Sequence, residues 1–339
     1  MMNRRSFLQA STAALSALVI SSRAAWGKAS EGGWARLADL PYPVQEIYPA
    51  LLGDNIHVVG GFTVEGAGVV ATDRHVGYSI GADKWQSRAP LPAVRHHPHL
   101  VTCDNAIYAL GGYQPGAAGD WVMQGQTWRY DSEQDRWDAA ADAPELHAET
   151  VCLPLGRNIH VIGGRSPQGE SNAGWQDHRD SARHLVYDTV AGQWHRLAPA
   201  LGARNSAAGV VIAGNLYIVG GRTVMGGNVA DLEVYDTRED KWRKAAPMPQ
   251  AQGGLAAAAI NNMLVAFGGE YFSPEGHGVY GNAWRYDPAS DRWAALTPML
   301  TPRHGLGAIS DGTRVFAIGG ATGVAVTGTS AILEALSFE

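Results

Sequence analysis

The sequence predicts an all-β propeller of six blades, with the last blade closed by a strand from the N-terminal segment. Three observations predict it. A glycine doublet ends an apolar run six times, with first glycines at Gly60, Gly111, Gly163, Gly220, Gly268 and Gly319, so the steps are 51, 52, 57, 48 and 51 residues. A period near fifty is about the length of one blade. Between doublets a Tyr-Asp pair and a spaced tryptophan recur in register: "RYDSEQDRW" (129–137), "VYDTVAGQW" (186–194), "VYDTREDKW" (234–242), "RYDPASDRW" (285–293) and, weakened, "GYSIGADKW" (77–85). Finally, the sixth repeat has no tryptophan strand, whereas Trp34 stands alone before the first doublet, in "GWARLADLP", which matches "RWAALTPML" (292–300).

Taken in chain order, residues 1–30 stand outside the fold. Arg4-Arg5-Ser6-Phe7-Leu8 precedes a mild apolar run too short to span a bilayer, followed by small residues. This resembles a twin-arginine export signal, an address read by the export machinery rather than an anchor. It implies a bacterial periplasmic or secreted protein with no membrane anchor once the signal is removed. Cleavage after Ala24 would remove Arg4, Arg5 and Arg23 and no acid, taking the formal charge from −6 to −9. An acidic exterior excludes nucleic acid as the expected partner. The two cysteines, Cys103 and Cys152, lie in apolar strand-like runs of successive repeats and read as buried free thiols.

Residues 31–339 form the propeller. The second repeat shows how each blade is built. "RHHPHLVTC" (95–103) is a first strand and Asp104-Asn105 a turn that tolerates positive φ. "AIYALGG" (106–112) is the second strand, "QTWRYD" (126–131) the third and "RWDAA" (136–140) the fourth. The last repeat offers "RHGLGAIS", "RVFAIGG" and "AILEALSF", so the Trp34 segment supplies its missing fourth strand and removes an open sheet edge. The doublets are not a phosphate loop, because such a loop occurs once and opens a helix. Two glycines at a strand end instead permit an unusual turn and close packing against the neighbouring blade's aromatics. Trp85, Trp137, Trp194, Trp242 and Trp293, with Tyr130, Tyr187, Tyr235 and Tyr286, read as plugs between blades.

Together the doublet, the Tyr-Asp pair and the spaced tryptophan resemble the kelch family over about residues 32–338. The resemblance implies four-stranded antiparallel blades around an axis. It leaves function open, since function is set by the site rather than the fold.

Blade geometry puts the strand 2–3 loops and the links between blades on one face. The 2–3 loops are long and differ in every repeat (62–74, 113–125, 165–182, 222–230, 270–281, 321–330). The ligand mouth is expected there. Two rings of equivalent positions border it. The residue after each doublet reads Phe62, Tyr113, Arg165, Arg222, Glu270, Ala321, and the residue opening each first strand reads Val44, Arg95, His147, Arg204, Gln252, Arg303, followed by Gln45, His96, Ala148, Asn205, Gly253, His304. A structural requirement would keep one residue type in all six copies. The candidate ligand-binding residues are therefore Arg95, His147, Arg165, Arg204, Arg222, Gln252, Glu270, Tyr271, Arg303 and His304. Converging arginines suit a carboxylate or sulfate, and Phe62, Tyr113, Trp175 and Tyr271 suit stacking on a sugar ring. Asp177, His178, Asp180 and His184 have mixed ligand chemistry, but no metal or other cofactor is expected.

The expected partner is a small carbohydrate or carboxylate, or a protein. Six-bladed kelch propellers include the bacterial N-acetylneuraminate epimerases, so the resemblance also implies sugar epimerisation or mutarotation. In that family a glutamate follows the fourth doublet with an arginine six residues on; here those positions hold Arg222 and Asn228, and Glu270 stands one blade later. Galactose oxidase is similar in its propeller, but its copper chemistry needs a cysteine cross-linked to a ligand tyrosine, and Cys103 and Cys152 lie inside strands.

Overall fold

The computed structural model describes residues 31–116 and 121–338. The export signal expected in 1–30 lies outside the described residues, as do residues 117–120 of the second long loop. The described residues form six four-stranded antiparallel sheets. Blade 1 is Ala50–Leu52, Asn55–Val59, His75–Ser79 and Lys84–Arg88; blade 2 is His99–Cys103, Ala106–Leu110, Thr127–Asp131 and Arg136–Ala139. Blades 3, 4 and 5 begin at Val151–Leu155, Ala208–Ile212 and Ala256–Ile260 and repeat the same order. Blade 6 takes Gly307–Ser310, Arg314–Ile318 and Leu333–Phe338 from the C-terminal end and Glu31–Arg36 from the N-terminal end, with Trp34 opposite Leu336. The innermost strands touch one another around a closed ring, the sixth returning to the first. No helix among the described residues is long and apolar enough to cross a membrane.

The doublets join the blades. In all six, the second glycine's N–H donates to the carbonyl that opens the next blade: Gly61 to Arg95, Gly112 to His147, Gly164 to Arg204, Gly221 to Gln252, Gly269 to Arg303 and, closing the circle, Gly320 to Val44, at 2.8–3.0 Å. Both glycines have positive φ throughout. A Cβ on Gly319 would lie 2.5 Å from the Val44 carbonyl oxygen, and one on Gly320 would lie 2.7 Å from that of His304. The doublet is glycine because backbone from its own blade and the next closes on it from both sides. The expected contact with aromatic plugs is corrected to a contact with backbone.

The aromatics clamp a different level of the same interface. Each Tyr-Trp pair packs across strands 3 and 4 with the rings tilted and their centroids 5.0–5.2 Å apart. Each indole N–H then donates to a carbonyl just past the preceding blade's fourth strand: Trp85 to Ala38, Trp137 to Ala89, Trp194 to Ala141, Trp242 to Ala198, Trp293 to Ala246 and Trp34 to Thr297. In four blades an aspartate five residues after the tyrosine completes the clamp. Asp83, Asp135, Asp240 and Asp291 accept the hydroxyl of Tyr78, Tyr130, Tyr235 or Tyr286 and the N–H of the same clamped alanine. The tyrosine hydroxyl, then the backbone N–H, holds each of these carboxylates below its ordinary range.

Two buried histidine pairs reinforce this level. His57 meets His75 at 2.8 Å and His160 meets His184 at 2.9 Å, and His75 and His184 also contact the carbonyls of Ala89 and Ala198. Burial lowers all four, to about 4 for His57 and His160 and about 3 for His75 and His184, so they stay neutral. Cys103 and Cys152 are buried and free.

The first strand of blade 2 begins at His99 rather than at residue 95. Pro98 follows His97, whose φ of 56° turns the chain off the strand. The same left-handed turn recurs at Glu46, Glu149, Ser206, Gly254 and Gly305, and these residues form a backbone belt near the axis. Glu46 donates to Gly305, His97 to Glu46, Ser206 to Glu149, Gly254 to Ser206 and Gly305 to Gly254, at 2.6–3.2 Å. The innermost strands also line an apolar channel of about 350 Å³.

Blade 3 has Gly192, with φ 65°, where the four clamping aspartates sit at φ 48–52°, and a Cβ there would meet nothing within 4 Å. Gly192→Asp should therefore restore the clamp to Tyr187 and Ala141 and raise stability by about 1 kcal/mol, as expected for added charge-assisted hydrogen bonds. Urea denaturation measures this, and no gain would show that the clamp does not stabilise the blade interface.

Candidate functional site

The strand 2–3 loops are themselves short hairpins. Phe62–Glu65 pairs with Gly68–Ala71, Tyr113–Pro115 with Trp121–Met123, Arg165–Pro167 with His178–Asp180, Arg222–Thr223 with Gly227–Asn228, and Glu270–Ser273 with Gly276–Val279. The residue after each doublet opens its hairpin and is bridged by backbone to the second position of its own blade. These pairs are Gln45 with Phe62, His96 with Tyr113, Ala148 with Arg165, Asn205 with Arg222, Gly253 with Glu270 and His304 with Ala321. The two variable rings are thus one ring of bridged pairs.

Inside that ring lies a cavity of about 750 Å³. One wall is aromatic. Phe62 stacks on His96 (4.1 Å between centroids), Trp121 meets Phe62 at 5.4 Å and Trp175 at 5.8 Å, and Tyr113 lies behind, stacked on His96 at 5.0 Å. Tyr271, Phe272 and Tyr280 face the cavity from blade 5. The floor is polar and comes from the belt: Glu46, His97 and Glu149, joined by Asn205, Arg222, Asn228 and Glu270.

Arg222 Nη1 contacts Glu270 Oε1 at 2.5 Å. Burial works against its charge, but Glu149, Glu270 and Glu46 overcome this and raise its pKa. Burial likewise opposes ionisation of Glu46, yet His97 at 2.9 Å, His304 and Arg222 outweigh it and bring the carboxyl down to about 2. Glu149 is also buried and held below its ordinary range by His97, Arg165, Arg222 and Ser206. Its oxygens accept the Tyr113 hydroxyl (2.9 Å) and the Ser206 hydroxyl (2.5 Å). Glu270 Oε2 accepts the N–H of Ala325 at 2.8 Å, and its backbone carbonyl accepts Asn228 Nδ2 at 2.6 Å.

Of the candidate residues, Arg222, Glu270 and Tyr271 line the cavity. Arg165 is fully buried behind the wall, its guanidinium 3.2 Å from the centre of the Trp175 ring and 3.8 Å from Glu149. His304 is buried beside Glu46 and Glu270. The first-position residues serve the fold. Arg95, Gln252 and Arg303 donate to the carbonyls of Gly111, Gly268 and Gly319, the first glycines of their own doublets. Arg204 pairs with buried Glu233 at 2.9 Å, and Arg303 with buried Glu334 at 2.9 Å. His147 packs on Gly111, and burial, with Arg183 and His99, lowers it to about 3. These five are not among the cavity-lining residues: three bond their own doublet, His147 packs on the preceding one and Arg204 is held by Glu233.

Tyr113, expected to stack on a ligand, is buried behind the wall, whereas Phe62, Trp175 and Tyr271 reach the cavity. Asp177, His178, Asp180 and His184 are dispersed. Asp177 accepts from Ser171 and two backbone N–H groups, His178 meets Asn172, Asp180 takes Asn205 and the Val224 N–H, and His184 is in the blade core. Glu46 and Glu149 at the third position, and the loop residue Trp121, were not among the residues that the sequence pattern singles out. The signal was present: Glu46, His97, Glu149, Ser206, Gly254 and Gly305 vary as much as the two rings beside them.

The fold and this mouth define a propeller of the kelch-repeat class. Residues 147–332 match the family described as "KLHDC2/KLHL20/DRC7 Kelch-repeats domain", and the chain belongs to the kelch-repeat family. It is 28% identical over 295 residues to Kelch-like protein terF of Aspergillus terreus, covering 82% of this chain and 62% of that protein. To human Kelch-like protein 23 it is 26% identical, over 57% of this chain and 32% of the relative. The chain thus spans less than two thirds of the length of either. A solved structure described as "Structure of YjhT" is similar with a TM-score of 0.75 at 17% identity, covering 88% of this chain and 96% of the other, and shows the shared fold.

Arg222 is the cation shared by the three carboxylates. Arg222→Met leaves them facing one another, so they hold protons more tightly folded than unfolded. Stability relative to the parent should then fall as pH rises through the acidic range. Losing one partner of a buried ion pair costs about 3 kcal/mol, and urea denaturation at pH 7 should show that deficit, shrinking toward pH 4. A deficit independent of pH would contradict the shared-cation role.

Proposed function

We propose that this chain is an exported kelch propeller that binds a carbohydrate in the mouth cavity. The observation that carries this reading is the cavity's composition. An aromatic wall of Phe62, Trp121 and Trp175 stands across from a floor of hydrogen-bonding side chains, Glu46, Asn205, Arg222, Asn228 and Glu270. Flat rings suit the C–H face of a pyranose, and convergent polar groups fix its hydroxyls. A carboxylate or sulfate ligand suits the floor less well, because Arg222 is committed to Glu270 and Arg165 is stacked behind Trp175 near Glu149.

Titration of a panel of oligosaccharides, followed by tryptophan fluorescence, tests the reading, since Trp121 and Trp175 should report occupancy. Trp121→Ala should weaken a bound sugar about tenfold or more, the loss expected for truncating an aromatic anchor (about 1.4 kcal/mol per tenfold). A sugar whose affinity is unchanged by this substitution is not held in the cavity. The Glu46–His97 contact at 2.9 Å also offers the acid and base that sugar epimerisation or mutarotation requires, and anomeric exchange in the same titrations, read by NMR, distinguishes turnover from binding alone.

Export rests on Arg4-Arg5-Ser6-Phe7-Leu8. Replacing Arg4 and Arg5 with lysines should hold the protein in the cytoplasm of a bacterial host with a twin-arginine pathway, as read by fractionation. Unchanged export would remove that assignment.

A further inference from the structure

At the base of the cavity the carboxylates outnumber the guanidiniums. Three carboxylates, Glu46, Glu149 and Glu270, face two guanidiniums, Arg165 and Arg222. Asp180, held by Asn205 Nδ2 and the Val224 N–H, adds a further negative group at the edge. Buried charge is normally paired. Arg222 serves Glu270 and Arg165 lies near Glu149, so Glu46 is the carboxylate without an arginine in contact.

The surroundings of Glu46 are open in a particular way. Its Oε2 meets His97 Nε2 at 2.9 Å, but its Oε1 faces His304 Nε2 at 3.7 Å, beyond hydrogen-bond reach. His304 Nε2 stands at 3.4 Å from Glu270 Oε2. The His304 side chain is 1% exposed, and neither of its ring nitrogens has a hydrogen-bond partner among the described residues. A buried imidazole without partners is costly to leave so. On this side of the belt the third positions of blades 5 and 6 are Gly254 and Gly305, which carry no side chains to cover the group. Glu46 itself keeps 14% of its side chain exposed, and it lines the cavity.

We infer that the carbohydrate carries a free, protonated amine, and that this ammonium is received between Glu46 Oε1, Glu270 Oε2 and His304 Nε2. A primary ammonium has three N–H donors and no acceptor; two carboxylate oxygens, and His304 Nε2 in the tautomer that carries its proton on Nδ1, offer three acceptors. Its charge stands beside Glu46 Oε1, the carboxylate oxygen that His97 does not reach. The aromatic wall then faces the sugar ring that bears the amine. The inference rests on the carbohydrate reading above and narrows it to amino sugars with an unacetylated nitrogen.

Three trisaccharides with the same β-1,4 linkage separate the two statements: glucosamine trisaccharide, its fully N-acetylated form and cellotriose. Calorimetric titration should find the free-amine sugar at least tenfold tighter than either of the others. In Glu46→Gln the ratio of free-amine to cellotriose affinity should fall to about one, and His304→Gln, which tests the slot independently should Glu46→Gln fold poorly, should reduce that ratio as well. Equal affinity for all three sugars would overturn the amine assignment and leave carbohydrate binding standing. A preference that survives in both variants would place the amine on the acidic exterior, again overturning it. Binding of none of the three would overturn both readings.

Discussion

Six backbone hydrogen bonds hold the ring together, each from the second glycine of a doublet to the carbonyl that opens the next blade. Everything else at the mouth is placed by that closure. The bond requires the two blades to approach until there is no room for a Cβ on either glycine, as the 2.5 Å and 2.7 Å contacts at Gly319 and Gly320 show. The last of the six, from Gly320 to Val44, returns to the start of the chain. It works with the N-terminal strand Glu31–Arg36 on blade 6 to remove the free edge that an open sheet array would present.

Closure at the doublet divides neighbouring residues into opposite roles. The first position reaches inward, where Arg95, Gln252 and Arg303 bond the carbonyl of their own doublet's first glycine. The second position is tied to the residue after the doublet, so the hairpin loops rise from a fixed base. At the third, the chain turns through positive φ into the belt around the axis, and Glu46, His97 and Glu149 reach the cavity floor. A site built this way varies in chemistry without altering the scaffold, because the conserved geometry is carried by backbone and glycine.

The floor concentrates charge where burial makes it expensive. Arg222 and the imidazoles keep Glu46 and Glu149 below the ordinary carboxylate range despite their burial. At the blade interfaces His57, His75, His160 and His184 are neutral, pushed down by the same burial and paired with each other and with backbone. Neutral histidine pairs fill the blade interfaces, the buried pairs Arg204–Glu233 and Arg303–Glu334 tie first positions to the scaffold, and Glu46, Glu149, Glu270 and Arg222 gather around the axis at the mouth.

Much of the fold was legible in the sequence because its determinants are local and repeated. A doublet every fifty or so residues, a Tyr-Asp before each tryptophan and a lone Trp34 specify strand order and closure, since each copy meets the same neighbours. The mouth face was legible too, from loops that differ while the strands do not. The identity of the lining was not. Arg95, Arg204 and Arg303 look like ligand-binding arginines in sequence, but only the tertiary structure turns them toward Gly111, Glu233 and Glu334. Conversely, Glu46, Glu149 and Trp121 come together from the openings of two blades and the loop of a third, through left-handed turns and a hairpin that no short sequence window encodes. Period and pattern determine which backbone forms; the direction of a side chain at the axis depends on the blades on either side, and only the closed ring decides it.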